Sequence, residues 1–317
     1  HDPFKLLKDF SLMNYLIIAT VCFSLSFGLI KSQLAGVPSD MVVELRLLLA
    51  ALIFLPFFKK SEGKKNLIAA LIGIIQFGLM YIFFLRAFKY LQGNEIVLLT
   101  TSTPILVAIC SSFFGRRFKW SYLICIIFSI IGAIIVIWDN VSFNFLLKGV
   151  LLMGLSNFCF ALGQVLWREY IGGSDITNTP HPNPPPQGGR EQHDSQLMAT
   201  AYLASAVFVF PLAVINTDFA TFSLSATQWL SILYLGIIPT GIGFWLWNKG
   251  AKLVNSTTLA IMNNLKIPMG ILFALVIFHE RINLANFTIG SIFILTGITL
   301  SHLADKPTAQ ISPTQST

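Results

Sequence analysis

The chain has 317 residues, of which 55% are hydrophobic and only 11% are charged. A soluble domain carries about a quarter charged residues, so this composition excludes a water-soluble fold. The formal net charge of +7 would suggest a nucleic-acid partner in a soluble protein. Here the basic residues lie between apolar segments, so we expect the lipid bilayer as a partner and no nucleic acid.

Apolar windows long enough to cross about 30 Å of hydrocarbon recur along the whole chain. Each window should be an α-helix because lipid offers no partner to unpaired backbone groups, and the period-two alternation of a transmembrane barrel strand is absent. The predicted fold class is therefore an all-α integral membrane protein with ten transmembrane helices. The ten windows lie near residues 14–32, 41–58, 67–88, 96–115, 120–138, 147–167, 197–215, 228–248, 256–278 and 284–302.

Basic residues are distributed unevenly between the predicted loops. With the N-terminus placed in the cytoplasm, fourteen Lys and Arg residues fall on the cytoplasmic side and five on the outer side. This asymmetry follows the positive-inside rule. We therefore expect a multi-pass protein of the inner membrane with both termini in the cytoplasm, including the N-terminal segment 1–13.

The second half of the chain repeats features of the first half. A shift of 163 residues superposes Gly73 on Gly236, and a shift of 164 superposes Pro104 on Pro268. Because each copy holds five helices, an odd number, the two copies enter the membrane in opposite orientations. We therefore predict two inverted five-helix repeats. They span residues 14–138 and 147–302.

One predicted loop is longer than its counterpart in the other repeat. The register changes from 137 to 155 residues across the loop between helices six and seven, which therefore holds about eighteen extra residues. Its Pro- and Gly-rich run at 179–190 cannot pack as a regular element. We expect residues 172–195 to be a disordered cytoplasmic loop and residues 303–317 to be a disordered cytoplasmic tail.

Lys266 lies near the middle of the ninth predicted helix, about 15 Å from either interface. A lysine side chain cannot reach that far, and a buried ammonium costs several kcal/mol unless it faces a cavity or a partner. We predict that Lys266 lines a central cavity and attracts an anionic group. The alternative is a structural ion pair or a hydrogen bond to a neighbouring helix.

The fourth and ninth predicted helices each carry a polar run directly before a proline. Proline frees a backbone carbonyl and lets a helix bend, so both runs can present polar groups to a solute near the midplane. The alternative is ordinary helix packing by small hydroxyls and amides. The predicted binding residues in these runs are Thr101, Ser102 and Pro104 in the fourth helix and Asn263, Asn264 and Pro268 in the ninth.

Other polar side chains inside predicted helices are weaker candidates for binding. These are Gln76, Asn157, Gln164 and Trp245. Glu44 and Arg46 lie inside the second helix, where they predict either a gating or coupling role or a structural ion pair. No Asp lies at mid-membrane depth, so the sequence leaves open whether Glu44 couples transport or the solute is simply exchanged.

A membrane enzyme would need a nucleophile with a base, an acidic pair or metal ligands at membrane depth. The five histidines lie in termini, loops or interfaces, and the four cysteines show no metal or disulfide spacing. We therefore expect no catalysis, no metal and no cofactor. A channel is disfavoured because filters are usually built by several subunits. A non-transporting receptor or scaffold stays as the alternative of another class.

The order of the helices, the inverted repeat and the segment 247–281 with its mid-helix Pro268 resemble the EamA family of the drug/metabolite transporter superfamily. The resemblance covers nearly the whole chain and implies a secondary transporter that works by alternating access, as a monomer or homodimer. Members of the family move amino acids, other small metabolites or drugs. With Lys266, the expected solute is an amino acid or another carboxylate-bearing molecule, and a drug or metabolite exporter is the alternative. One departure is Arg116, where the family usually has Glu.

Overall fold

The structure is a computed structural model that describes residues 3–58, 63–91, 93–114, 120–138, 146–171, 187–254, 256–276 and 283–304. These ranges contain helices and turns and no strand, which confirms the all-α prediction for the part of the chain described. The helices in chain order are α1 (Pro3–Gln33), α2 (Ser39–Phe54), α3 (Gly63–Ala87), α4 (Gly93–Thr100), α5 (Thr103–Ser112), α6 (Trp120–Ile137), α7 (Leu147–Ile171), α8 (Gln187–Ile215), α9 (Ala226–Ala251), α10 (Ser256–Val276) and α11 (Leu284–Ala304).

Several of these helices are long and apolar enough to cross a membrane. Among the described residues, six stretches meet that condition by length and composition: Met13–Ile30, Gly63–Ala87, Glu95–Ser112, Leu147–Ile171, His193–Ile215 and Ala226–Ala251. Shorter apolar stretches occur at Leu123–Val136 and Leu284–Leu300. Each of the ten predicted windows overlaps a helix, and the fourth window overlaps both α4 and α5. The chain is a multi-pass helical membrane protein, and its division into two inverted repeats stays a prediction.

Helices α3 and α9 each contain a wider, π-helical segment. In α3 this segment covers Ile74–Leu79, and in α9 it covers Gly236–Gly243. Pro239 lacks an N–H and cannot donate to the carbonyl of Leu235, which accepts from Thr240 Oγ1 at 2.6 Å. Such segments take backbone groups out of the regular hydrogen-bond ladder and are frequent at functional sites.

The fourth predicted helix is broken into α4 and α5 by a two-residue turn. Pro104 follows the turn, and its missing N–H leaves the carbonyl of Thr100 without a helical donor. Thr103 Oγ1 donates to that carbonyl at 2.7 Å instead. Helix α10, by contrast, runs without interruption through Pro268. The two prolines therefore have different effects on the helices that contain them.

Part of the predicted disordered loop is helical. Helix α8 begins at Gln187, so residues 187–195 continue the apolar helix outward, and α1 likewise begins at Pro3. A helix that is already nucleated extends at little cost through good helix formers such as Glu and Arg, which explains the difference from the prediction. Residues 172–186 of the predicted loop and 305–317 of the predicted tail lie outside the described residues.

Helices α6 and α11 pack against each other and against α10, to one side of the molecule. Their contact is close because Gly132 and Gly290 face each other: a Cβ on Gly132 would lie 2.5 Å from the carbonyl oxygen of Gly290. The rings of Phe128 and Phe293 stack beside this contact with centroids 5.5 Å apart. Close approach through small residues is the usual way in which helices associate in lipid.

Candidate functional site

A buried cavity of about 80 Å³ lies among helices α1, α2, α3, α4, α7, α9 and α10. Most of its wall is aromatic or aliphatic, with two basic side chains and a few neutral polar ones, and the lining residues described include no Asp or Glu. Apolar walls with a few convergent polar groups are typical of small-molecule sites. The lining residues are Phe23, Ser26, Ile30, Arg46, Met80, Tyr81, Phe84, Thr100, Met153, Ser156, Asn157, Phe160, Pro239, Phe244 and Lys266.

Arg46 supplies the first positive charge of the cavity. Its Nε donates to Thr240 Oγ1 at 3.1 Å, and its Nη2 donates to Tyr81 OH at 2.8 Å. The two hydroxyl oxygens are 3.0 Å apart, and since the Thr240 hydroxyl donates to Leu235, the Tyr81 hydroxyl donates to Thr240. Arg46 Nη1 is buried and has no partner in the described part of the chain. The guanidinium is thus held on one side and has a donor to spare for an anion.

Tyr202 extends this network into α8. Its hydroxyl lies 2.5 Å from the carbonyl oxygen of Thr240 and 3.0 Å from that of Gly241, both in the π-helical segment of α9. The Tyr202 side chain is fully buried. The hydrogen bonds of Arg46, Tyr81 and Tyr202 therefore tie α2, α3, α8 and α9 together beside the cavity.

Lys266 supplies the second positive charge. Its side chain is half-buried, and Nζ lies 5.6 Å from the ring centroid of Phe160 on the cavity wall. No acidic side chain among the described residues forms an ion pair with it. Its backbone carbonyl accepts from Ser24 Oγ at 3.1 Å, which holds α10 against α1. Of the two alternatives for Lys266, the structure has the cavity position and shows no ion pair within the described ranges.

Asn157 is the third sequence candidate on the cavity wall. Its Nδ2 donates to the carbonyl of Leu99 at 2.8 Å and to Ser102 Oγ at 3.1 Å. Ser102 itself donates to the same Leu99 carbonyl at 2.8 Å. Asn157 and Ser102 therefore join α7 to the turn between α4 and α5.

Gln76 and Gln164 lie outside the cavity and pair with α9. Gln76 Nε2 donates to Asn248 Oδ1 at 2.9 Å, and Asn248 Nδ2 donates back to Gln76 Oε1 at 3.2 Å. Gln164 Oε1 accepts from Trp247 Nε1 at 2.8 Å. All four side chains are almost fully buried. Their geometry matches helix packing, which was the alternative to solute binding.

The remaining candidates are also away from the cavity. Asn264 Nδ2 donates to Ser129 Oγ in α6 at 3.1 Å, and Asn263 Nδ2 donates to the Leu259 carbonyl in its own helix at 2.8 Å. The Trp245 ring lies 5.1 Å from Lys249 Nζ. The cavity lining does not include the three other members of the proline-associated runs, Thr101, Pro104 and Pro268.

Glu44 and Arg46 do not form the ion pair that their proximity in sequence suggested. Arg46 binds Thr240 and Tyr81, whereas Glu44 is buried elsewhere with Oε2 unpaired among the described residues. Residues two apart on a helix point to different faces, which explains the separation. A gating or coupling role for Glu44 stays a prediction.

Several cavity residues were not predicted from the sequence. Tyr81 and the aromatic wall formed by Phe23, Phe160 and Phe244 are examples. The repeat register contained a signal for two of them, since a shift of 163 superposes Tyr81 on Phe244. The other aromatic residues are indistinguishable in sequence from lipid-facing ones.

A second cavity, of about 640 Å³, opens beside the first and shares Ile30 with it. It lies between the α1–α2 loop and the end of α3, where Asp40 accepts two hydrogen bonds from Arg86, at 3.0 and 2.8 Å, and one from Asn216 at 2.8 Å. At the opposite end of α8, Asp194 binds Lys252 at 2.6 Å.

Comparisons with known proteins agree with this architecture. The sequence model of the EamA-like transporter family matches residues 11–138 and 188–303. A protein of Pseudomonas aeruginosa named "Probable biotin transporter" is 31% identical over 297 residues, which cover 93% of this chain and 99% of the relative. The "Biotin transporter" of Escherichia coli K12 is 32% identical over 290 residues, which cover 90% of this chain and 91% of the relative.

More distant relatives share the fold. The "Probable amino-acid metabolite efflux pump" of Escherichia coli K12 is 21% identical over 291 residues, which cover 89% of this chain and 91% of the relative. A solved crystal structure superposes with a TM-score of 0.72 at 16% identity and covers 94% of this chain and 99% of that chain. The chain therefore belongs to the EamA-like transporter family, and it is a membrane transporter and not an enzyme.

Proposed function

We propose that the protein is a secondary transporter of biotin, or of a closely similar carboxylate-bearing vitamin, and that Arg46 and Lys266 bind the solute carboxylate. The observation that carries this proposal is a cavity whose described lining holds two cations and no carboxylate. Buried positive charges are costly and need an anionic partner or water. A solute carboxylate supplies such a partner, and Arg46 Nη1 is an available donor for it.

An amino acid, which the sequence favoured as the solute, fits the cavity less well. Its ammonium group would require an anionic or strongly accepting partner, whereas the described lining has no Asp or Glu. The relatives at 31% and 32% identity are named for biotin, and the one named for amino-acid metabolites is only 21% identical. Both observations favour an acid without an ammonium group.

The aromatic wall suits the apolar part of such a solute. Phe244 lies 4.9 Å from Phe23 and 5.7 Å from Phe160, measured between ring centroids. Aromatic faces and edges of this kind bury large apolar areas in ligand pockets. A ring system on an alkyl carboxylate could therefore place its apolar body against these rings and its acid group near the two cations.

The cavity is smaller than the roughly 300–1000 Å³ usual for drug-sized ligands. Solute binding would therefore require the helices around it to separate. The larger second cavity and the contacts at the opposite end of α8 support an arrangement that is open on one side and held together on the other. Alternating access between two such states is the transport mechanism that we propose.

Reciprocal contacts support the proposal that two inverted repeats, 14–138 and 147–302, move against each other. The π-helical segments Ile74–Leu79 and Gly236–Gly243 overlap at the shift of 163 that relates the repeats. Helix α1 contacts α10 through Ser24, and helix α7 contacts the turn after α4 through Asn157. The first helix of each proposed repeat thus contacts the fourth helix of the other. We retain cytoplasmic termini in the inner membrane, and a monomer or homodimer, as parts of this proposal.

The proposal can be tested by counterflow of labelled biotin into proteoliposomes that contain the purified protein. Wild-type protein should give saturable biotin flux and no flux of a panel of α-amino acids. Lys266→Ala should lower the flux at limiting biotin, whereas Lys148→Ala should not, because Lys148 is exposed and lies over the Tyr90 ring outside the cavity. Amino-acid flux without biotin flux, from folded protein, would reject biotin as the solute.

A further inference from the structure

The side-chain amide of Asn157 is held in one orientation on the cavity wall. Both of its N–H groups are used, one on the Leu99 carbonyl at 2.8 Å and one on Ser102 Oγ at 3.1 Å. A carbonyl oxygen can only accept, and the Ser102 hydroxyl donates its own hydrogen to the same carbonyl at 2.8 Å. Rotating the amide by 180° would point Asn157 Oδ1 at two acceptors, so the observed orientation is the favourable one.

This orientation leaves the amide oxygen of Asn157 free. Oδ1 accepts no hydrogen bond from any residue in the described ranges, although the side chain is only 4% exposed. The residue lines the same cavity as Arg46 and Lys266. The wall therefore offers a fixed, dry acceptor in addition to its two cations. A buried acceptor of this kind costs free energy unless a donor meets it.

We infer that Asn157 determines specificity by accepting a hydrogen bond from an N–H group of the solute. The inference rests on the proposed function, in which Arg46 and Lys266 bind the carboxylate. It narrows the solute class to carboxylic acids that carry a cyclic-urea, lactam or similar amide N–H on an apolar body. Acids of the same shape without an N–H are excluded from tight binding, because they would leave Oδ1 without a partner.

Ser102 acts in this arrangement as a positioning residue. It does not line the cavity, but its Oγ accepts one of the two N–H groups that hold the Asn157 amide. Removing Oγ frees the amide to rotate and to offer the solute a donor in place of the acceptor. Ser102→Ala should therefore weaken discrimination between solutes, and Ser102→Thr, which keeps the hydroxyl, should restore it.

Binding of three acids to the purified protein tests the inference. The probes are biotin, biotin methylated at both ureido nitrogens, and lipoate, an apolar acid with no N–H. Wild-type protein should bind biotin about 10 to 100 times more tightly than the other two. In Asn157→Leu, a substitution of similar size, biotin affinity should fall by about the same factor while lipoate affinity changes little.

The ratio of biotin to lipoate affinity is the deciding quantity, because a general loss of folded protein lowers both affinities together. A ratio near one in Asn157→Leu, and an intermediate ratio in Ser102→Ala, are the results expected. Biotin binding by wild-type protein with an unchanged ratio in Asn157→Leu would overturn the inference alone. Absence of biotin binding by folded wild-type protein would overturn the proposed function and the inference with it. If Asn157→Leu does not fold, equal wild-type affinities for biotin and dimethylated biotin would overturn the inference.

Discussion

The guanidinium of Arg46 and the phenol of Tyr81 form one unit on the cavity wall: Nη2 donates to the phenol oxygen at 2.8 Å, and the guanidinium carbon lies 4.1 Å from the ring centroid. Thr240 accepts from Nε on the other edge of the guanidinium. With two of its nitrogens held, the Arg46 side chain cannot turn away from the cavity. Its unpaired Nη1 is therefore a preorganised donor, which lowers the entropy lost when an anion binds.

Replacing Arg46 should separate the effect of its charge from that of its geometry. Arg46→Gln removes the charge and should raise the Kd for biotin about 10- to 100-fold, since hydrogen bonds to charged groups contribute about 1.5–3 kcal/mol. Arg46→Lys keeps the charge but not the planar fork and should give a smaller loss. Equilibrium binding of labelled biotin to detergent-purified protein measures both values.

Tyr81→Phe is the matched control for the Arg46 variants. It removes one hydrogen bond to the guanidinium but keeps the ring beneath it, so the Kd should rise by less than in Arg46→Gln. A Tyr81→Phe variant that binds biotin more weakly than Arg46→Gln would show that the phenol, and not the guanidinium, contacts the solute.

The role of Lys266 can be isolated with a neutral form of the solute. Biotin methyl ester lacks the negative charge, so wild-type protein should bind it at least about tenfold more weakly than biotin. Lys266→Met keeps most of the apolar stem and removes the ammonium. It should weaken the binding of biotin but leave the binding of the ester nearly unchanged, in competition assays against labelled biotin. Equal losses for acid and ester would mean that Lys266 supports the packing and not the charge of the site.

The helices and the position of Lys266 could be predicted from the sequence because both depend on burial alone. An apolar run must be helical in lipid, and a mid-helix lysine must face something polar or aromatic. The two prolines before polar runs were also visible, but their different outcomes were not. Pro104 breaks its helix, whereas α10 continues through Pro268, because the packing around each helix decides whether the freed carbonyl finds another donor.

The division of the polar residues between binding and packing could not be predicted. Gln76 and Asn157 are both buried amides in mid-helix, yet Gln76 pairs with Asn248 across helices while Asn157 lines the cavity. That difference depends on which helix faces which, and no local pattern encodes it. The cavity role of Arg46 was hidden for the same reason, since its partners Tyr81 and Thr240 are 35 and 194 residues away in sequence.

The Gln76–Asn248 pair should contribute to stability and not to binding. Gln76→Leu leaves the buried amide of Asn248 without its partner and should destabilise the protein by about 1–3 kcal/mol, seen as a lower thermal midpoint in detergent. The double variant Gln76→Leu/Asn248→Leu removes both polar groups and should recover part of that loss. The Kd for biotin should change less than about twofold in the folded fraction, because neither residue lines the cavity. A large change in Kd with little loss of stability would return Gln76 to the list of binding residues.

The contact between α6 and α11 should be sensitive to a single methyl group. Gly132→Ala would place a Cβ 2.5 Å from the carbonyl oxygen of Gly290 and 2.8 Å from Phe293 Cβ, and backbone atoms cannot yield as a flexible side chain can. Overpacking of this kind costs about 1–3 kcal/mol, so the thermal midpoint should fall by several degrees. Gly154→Ala is the matched control, since no atom lies within 4 Å of the added Cβ and alanine is the better helix former. Its midpoint should be unchanged or slightly higher, and equal midpoints for the two variants would mean that α6 and α11 do not approach as closely as the two glycines indicate.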